Sequence, residues 1–287
     1  MGRLRKVRRP AVAGYFYPSD RGRLIESIEW CFKHKLGPGD LPKLSTERRR
    51  NTIGYVVPHA GYMYSGPIVA HAYYDMAGEG IPETAIILGT NHTGYGKPIS
   101  IYPEGLWGTP LGQLQVDSEL GTLVTKYSEL ADFDVYAHLE EHSIEVQLPF
   151  LQYIYGDKVK ILPIVVGIHT PEASKDLASA ILKATRELNR DVVVLASSDF
   201  NHYEPHEVTV EKDMSAINKV LELNTEEFYR TIVERDISIC GPGGIMTLME
   251  IAKSLNARGT LLMHATSGDV GGDKSAVVGY VSVKFYL

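Results

Sequence analysis

Three histidines stand at equivalent places in the sequence, each shortly after an apolar run that predicts a buried β-strand. They are His59, His92 and His202. Pro58 ends the first of these runs, since proline has no N–H to donate to a neighbouring strand. In open α/β sheets, ligands bind beyond the ends of the strands. The three histidines therefore predict one shared site, because converging titratable groups are typical of function.

Four more residues are candidates for the same site. Asp199 lies three positions before His202, and Cys240 comes just before a glycine-rich turn that leads into an apolar helix. Glu141 and His142 lie in a short cluster of ionisable residues. That cluster is either the solvated start of a helix or a part of the site, and the sequence leaves both interpretations open.

These side chains support two kinds of chemistry. Two histidines and one anionic residue can hold a metal ion with open coordination positions, and a further histidine and aspartate can then move protons. The short metal signatures His-Glu-x-x-His and Cys-x-x-Cys are absent from the sequence. A cysteine nucleophile with a histidine base is the alternative. The Gly-x-Ser-x-Gly signature of one class of serine hydrolase is also absent.

The elements that must position these residues alternate between strand and helix from about residue 53 onward. Apolar runs predict buried strands at 55–57, 84–92, 159–166 and 192–197. Ser65 is expected to cap the helix that follows the first strand, since a serine side chain can accept from a free N–H in the first helical turn. Such alternation predicts strands joined by helical crossovers.

The whole chain, residues 1–287, is expected to form a single domain, because no internal repeat and no long linker divides it. The predicted fold class is α/β. It has three layers, with a central sheet that is mostly parallel or mixed and helices on both of its faces.

Composition narrows the possible partners and the location. Lys+Arg is 29 and Asp+Glu is 35, so the formal net charge is −6, which does not favour nucleic-acid binding. No apolar stretch is long enough to cross a bilayer, so we expect no membrane insertion. The two cysteines, Cys31 and Cys240, are too few for a disulfide scaffold, and a reducing cytoplasm is the expected location.

Five short motifs resemble, in order, those of the Memo family, which in microbes is also called AmmeMemoRadiSam system protein B. The resemblance extends over nearly the whole chain, and five ordered motifs are far more specific than one. The motifs are PHAGY at 58–62, LGTNH at 88–92, EHSIE at 141–145, SSDFNH at 197–202 and ICG at 239–241.

The resemblance implies a fold similar to that of the class III extradiol dioxygenases, which hold a non-haem iron with two histidines and a glutamate. By motif, His59 and His92 fall on the metal histidines, and His202 falls on the acid–base histidine. Cys240 falls where the dioxygenases have their metal glutamate. We therefore expect one metal ion bound by His59, His92 and Cys240, with iron or copper favoured over zinc, and with Asp199, His202, Glu141 and His142 as the catalytic group.

Three functions compete. The first is a metal-dependent redox enzyme with a dioxygenase-like pocket that acts on an unidentified small molecule or protein-bound group. The second is a peptide- or partner-binding module that retains a vestigial pocket, with aromatic residues such as Tyr15, Phe16 and Tyr62 along a groove. The third is a metal-independent cysteine hydrolase. The family name further implies functional association with a radical SAM protein and an AMMECR-type protein.

Overall fold

The computed structural model describes residues 6–287. A nine-stranded mixed sheet forms its centre, and helices cover both faces of that sheet. The predicted three-layer α/β architecture is confirmed. Within the described residues, no helix has the length and apolarity needed to span a membrane.

The strands of the described chain are short, and most of them belong to the central sheet. They are β1 (Val7–Arg8), β2 (Thr52–Val57), β3 (Thr84–Thr90), β4 (Ile99–Ile101), β5 (Leu106–Thr109), β6 (Gly112–Gln115), β7 (Ala131–Phe133), β8 (Lys160–Val166), β9 (Val192–Ser197), β10 (His202–Glu204), β11 (Arg258–Thr266) and β12 (Val277–Tyr286).

The helices lie between the strands, as the sequence alternation predicts. They are α1 (Arg21–Lys33), α2 (Tyr62–Gly78), α3 (Ser118–Tyr127), α4 (Leu148–Tyr155), α5 (Pro171–Glu187), α6 (His206–Leu221), α7 (Thr225–Glu234), α8 (Pro242–Ser254) and α9 (Ser267–Gly271), with two short 3₁₀ turns at Tyr136–His138 and Glu145–Gln147.

Four parallel strands form the middle of the large sheet, in the order β2, β9, β3, β8. β12 pairs antiparallel with β2, and β4 pairs antiparallel with β8. β10 and β11 both pair with β12, and β7 pairs with β4. Because the four middle strands are adjacent and parallel, the loops that follow them all emerge at one edge of the sheet.

Both faces of the middle strands are buried, and their side chains alternate between two hydrophobic clusters. On β3, Ala85 and Ile87 belong to the cluster that includes residues of α1, α2 and α4. Ile86 and Leu88 belong to the cluster that includes residues of α3 and α5 to α8. Burial on both faces explains why these strands appear in the sequence as continuous apolar runs rather than as alternating patterns.

Helix α2 begins three residues before the predicted cap. Gly61 is the N-cap and Tyr62 is the first helical residue, whereas Ser65 and Pro67 lie inside the helix. The Tyr62 N–H donates to the carbonyl of Phe16 at 2.8 Å, so a contact with the N-terminal segment satisfies one free group of the first turn. The prediction of Ser65 as the cap was wrong because this contact is not local in sequence.

Candidate metal centre

Two strand-end histidines and Asp199 meet at the carboxyl edge of the sheet. His59 follows β2, His92 follows β3, and Asp199 follows β9, which lies between those two strands. The ring centroids of His59 and His92 are 5.2 Å apart. The Asp199 carboxylate accepts the backbone N–H of His59 at 2.8 Å. The parallel strand order thus brings together residues that lie far apart in sequence.

His142 completes a cluster of three histidines. Its ring stacks on that of His92, with centroids 4.4 Å apart, and lies perpendicular to the ring of His59 at 5.3 Å. One ring nitrogen from each histidine lies within 4.8 Å of the other two. Imidazole nitrogens are common ligands of transition metals, so this cluster could hold a metal ion.

Hydrogen bonds to Ser197 fix the ring of His59. The Ser197 hydroxyl donates to the Ser143 carbonyl at 2.6 Å and accepts from the Gln147 side-chain amide at 3.0 Å. The hydroxyl has only one proton, so His59 Nδ1 must be the donor in its 3.1 Å contact with Ser197 Oγ. In the neutral ring, His59 Nε2 therefore carries a lone pair rather than a proton, which is the arrangement typical of a metal-binding histidine.

Glu141 orients His92. Its carboxylate accepts the backbone N–H of His92 at 2.8 Å, lies 2.9 Å from the ring Nδ1, and accepts the Ser143 N–H at 2.8 Å. Burial alone would raise the pKa of Glu141, but its contacts with His92 and the Ser143 N–H lower that pKa to about 2. Glu141 is therefore ionised at neutral pH and accepts from His92 Nδ1, which leaves Nε2 as the ring atom of His92 that could bind a metal.

His59 and His142 are both neutral at pH 7. Burial lowers the pKa of His59 well below its usual range, and the nearby His142 and His92 lower it further. Burial also lowers the pKa of His142 to about 4, although Glu141 opposes the shift. Since only the neutral imidazole binds a metal, His59 and His142 are held in the form that can ligate one.

Cys240 lies beside the histidine cluster. Its Sγ is 3.1 Å from His59 Nε2 and accepts the Asp199 N–H at 3.2 Å. Burial raises the pKa of Cys240, and the charge of Asp199 raises it further. The side chain is therefore a thiol at neutral pH unless a cation stabilises the thiolate. Cys240 is not one of the three residues whose ligand atoms lie mutually within 4.8 Å.

The contacts around Cys240 differ from those of a Cys-His-Asp triad. In such a triad the acidic residue orients the ring of the histidine base. Here the Asp199 carboxylate accepts the backbone N–H of His59, and Ser197 contacts the ring instead. Together with the raised pKa of the Cys240 thiol, this geometry gives little support to the hydrolase alternative.

His202 lines the same cavity as His59 and His92, and Ser238 contacts both its backbone and its ring. Its backbone N–H donates to Ser238 Oγ at 2.8 Å, and its Nδ1 lies 2.6 Å from the Ser238 carbonyl oxygen. A carbonyl only accepts, so Nδ1 is the donor in this contact and Nε2 is the ring nitrogen left for other contacts. The next residue, Tyr203, has a φ of 61°, an uncommon value for a non-glycine residue, beside the site.

One cavity of about 640 Å³ contains all but one of the predicted site residues. Glu141 is the exception: it is 1% exposed and lies behind His92 rather than along the wall. A larger cavity of about 860 Å³, bordered by Arg21 and Tyr153, contains none of the clustered histidines. The residues lining the first cavity are Phe16, His59, Ala60, Gly61, His92, His142, Asp199, His202, Tyr203, Ser238, Cys240 and Val278.

A fourth strand-end histidine, His169, is not among the predicted site residues. It follows β8 after a glycine and an isoleucine, a spacing close to that of the other three. Its Nδ1 accepts the Gly243 N–H at 3.2 Å, and its Nε2 lies 3.4 Å from the Thr90 hydroxyl. The same search for histidines after apolar runs would have found it.

Glu145, for which the sequence predicts no role, holds the N-terminal segment over the site. Its buried carboxylate pairs with Arg8, accepts the backbone N–H groups of Ala11 and Val12, and accepts the hydroxyl of Tyr17. This segment carries Phe16, whose ring lies 4.5 Å from that of His142. Phe16 thereby forms one wall of the cavity.

Comparison with known proteins agrees with the motifs. The sequence model of the Memo-like protein family matches residues 8–284. A MEMO1 family protein of Desulfurococcus amylolyticus is 60% identical over 98% of this chain and 100% of its own length. A MEMO1 family protein of Ignicoccus hospitalis is 53% identical over 98% of this chain and 99% of its own length.

Among solved structures, an uncharacterized protein from Escherichia coli K12 aligns with a TM-score of 0.48 and 10% identity, over 81% of this chain and 99% of that one. The match of the family to 8–284 and the high identity to relatives of nearly the same length confirm the resemblance to the Memo family. The chain belongs to the Memo-like protein family.

Proposed function

We propose that the protein binds one metal ion at the carboxyl edge of the sheet and uses it in redox chemistry on a small molecule. The observation that carries the proposal is the state of His59 and His92. Each ring donates its Nδ1 proton to an acceptor, Ser197 or Glu141, so that Nε2 is the ring atom that can bind a metal. Such outer hydrogen bonds are typical of metal-ligating histidines, and they raise the basicity of the ligand.

We propose Cys240 as the third ligand. Its Sγ lies 3.1 Å from His59 Nε2, so one ion can contact both atoms. His142 competes for that role, since its ring belongs to the three-histidine cluster. A thiolate is a softer ligand than a carboxylate and favours copper(I), zinc or altered iron chemistry over the oxygen-ligand metals, and we favour iron or copper for the redox role.

A bound ion of this kind would act as a Lewis acid or as a one-electron redox centre. The chain's own residues then have separate tasks. His202 Nε2 can accept a proton from a substrate in the cavity, because its Nδ1–H is committed to the Ser238 carbonyl. Burial raises the pKa of Asp199, although the His59 N–H opposes the shift, so Asp199 can hold and release a proton. Phe16 and Tyr203 supply aromatic surface to the cavity wall.

Metal analysis tests the proposal directly. We expect about one metal ion per chain in protein purified without air, as one site implies. His59→Ala with His92→Ala should remove most of the metal while the fold is retained, because the two side chains lie at the cavity and not in the hydrophobic clusters. Cys240→Ser and His142→Gln, measured separately, identify the third ligand. Full metal content in the double alanine variant would contradict the proposal.

The thiol of Cys240 sets an expectation about the reaction. A thiolate ligand can be oxidised to sulfenic and higher acids, whereas the carboxylate of a ring-cleaving dioxygenase cannot. We therefore expect little turnover of simple catechols, and a loss of metal when peroxide oxidises Cys240. The measurement is a peroxide titration followed by metal analysis and by mass spectrometry of Cys240, with Cys240→Ser as the control. Rapid catechol turnover by the iron-loaded protein would count against this expectation.

A binding module is the second candidate function. Tyr15 and Tyr203 are 88% and 78% exposed, and such aromatic side chains could contact a peptide. Tyr203 lines the cavity, and Tyr15 precedes the lining residue Phe16 in sequence. Tyr62, by contrast, is buried and packs on Phe150 at 4.9 Å. Association with a radical SAM protein, an AMMECR-type protein or a peptide stays a prediction. Peptide binding that persists in the variant with both His59→Ala and His92→Ala would favour a binding module over an enzyme.

A further inference from the structure

His169 connects two elements that carry parts of the proposed site. It follows β8, which lies next to β3 in the sheet. Its Nδ1 accepts the N–H of Gly243, in the first turn of α8. A Cβ on Gly243 would lie 2.8 Å from this nitrogen, so the close approach of the ring depends on the glycine. The ring is thus packed directly against the helix that begins after Cys240.

The protons of this contact can be assigned. Because His169 Nδ1 accepts, the proton of the neutral ring is on Nε2, which lies 3.4 Å from Thr90 Oγ1. Thr90 donates its only hydroxyl proton to the backbone carbonyl of Cys240 at 2.7 Å. Its oxygen is therefore free to accept from the ring. Burial lowers the pKa of His169, and the neighbouring His92 lowers it further, which agrees with a neutral ring.

We infer that His169 and Thr90 are positioning residues that hold Cys240 in register with His92. Thr90 is the last residue of β3 and lies two positions before His92. Its hydrogen bond to the Cys240 carbonyl therefore joins the strand that carries the proposed ligand His92 to the backbone of the proposed ligand Cys240. His169 supports Thr90 on one side and α8 on the other. The inference rests on the proposed function only where it concerns the metal; the hydrogen bonds to Cys240 stand without it.

The first test measures the reactivity of Cys240 in chelator-treated protein. Thr90→Val removes the hydroxyl but keeps the shape of the side chain, and Thr90→Ser restores the hydroxyl. Alkylation by iodoacetamide at Cys240, followed by mass spectrometry, should be about fivefold faster in the valine variant, because one hydrogen bond that restrains the turn is lost. The serine variant should react at nearly the wild-type rate.

Thr247→Val is the matched control for this test. Thr247 is also buried, and its hydroxyl donates to a backbone carbonyl, that of Gly243, within α8. It makes no bond to Cys240 or Thr90. We expect it to alter stability without altering the alkylation rate. If Thr90→Val is folded and reacts at the same rate as wild type, or if Thr247→Val accelerates the reaction equally, the inference is overturned.

The second test uses cobalt(II) as a spectroscopic probe. If Cys240 is a ligand, wild type shows a sulfur-to-cobalt charge-transfer band, and both His169→Gln and Thr90→Val should weaken cobalt binding by about tenfold, as is usual for outer-shell changes. Thr90→Ser should restore both band and affinity. If wild type lacks the band, the proposed ligand set fails, and the alkylation rates still decide the positioning role. Unchanged band and affinity in both variants would overturn the inference.

Discussion

At the scale of single residues, several buried groups contact the histidines of the proposed metal site but do not line the cavity themselves. Glu141 is the clearest case, because it contacts both the backbone and the ring of His92 but does not line the cavity. Glu141 is one of the predicted catalytic residues, and in the proposed site its role would be to orient His92. Ser197 has the same relation to His59.

Replacing Glu141 by glutamine should lower metal affinity by about 10–100-fold, the range typical of outer-shell substitutions. The glutamine is nearly the same size but carries no charge, so it accepts the His92 Nδ1–H less strongly. Titration with zinc and a competing chelator measures the change. Glu140→Gln is the control, since Glu140 is the exposed neighbour. Equal affinities in the two variants would contradict the orienting role.

At the scale of elements, the N-terminal segment depends on one buried carboxylate. Glu145 lies in a 3₁₀ turn before α4 and receives hydrogen bonds from β1 and from the loop that follows it. Arg8 is also buried; it stacks over Trp107 at 4.4 Å and donates to the His138 carbonyl at 3.0 Å. Losing either partner leaves the other as an unpaired charge in the interior.

We expect Glu145→Gln to lower the free energy of unfolding by about 3–5 kcal/mol, since it leaves Arg8 buried without its counter-charge. Urea denaturation measures the loss. The comparison variant is Glu226→Gln, whose partner Lys175 is at 2.6 Å but on the surface, so its loss should be no more than about 1 kcal/mol. Similar small losses in both variants would show that the N-terminal segment is held by other contacts.

At the scale of the whole molecule, buried histidines link stability to pH. His138 is fully buried, with its Nε2 3.1 Å from the Ser100 carbonyl oxygen. Burial lowers the pKa of His138 to about 3, although the Ser100 contact opposes the shift. In the unfolded chain a histidine titrates near about pH 6.5. Between these values the unfolded state binds a proton that the folded state does not, so acid favours unfolding.

The contribution of neutral His138 to the free energy of unfolding is fully present above about pH 6.5. It declines by up to about 1.4 kcal/mol per pH unit as the pH falls towards 3. His138→Gln removes this titration, so its stability should fall less steeply with acid than that of wild type. Urea denaturation at several pH values between these limits measures both slopes. His59 and His142 shift in the same direction and remain in both proteins. Parallel curves for the two proteins would contradict the assignment.

The sequence by itself determined the layers of the fold and the elements that carry the site. Apolar runs such as β3 and β9 are buried on both faces, so their composition alone predicts central strands and covering helices. The location of His59 and His92 just beyond such strands is equally local. Their assignment to one site followed from the rule that parallel strands share a carboxyl edge, together with the family motifs.

Only the tertiary structure decided which loops reach that edge and what each side chain does there. The order β2, β9, β3, β8 depends on packing between helices and strands far apart in sequence, and no local pattern encodes it. The stacking of His142 on His92 and the bond from Thr90 to Cys240 each join segments at least 50 residues apart. Loop conformations of this kind depend on long-range hydrogen bonds, which leave no periodic signal in the sequence.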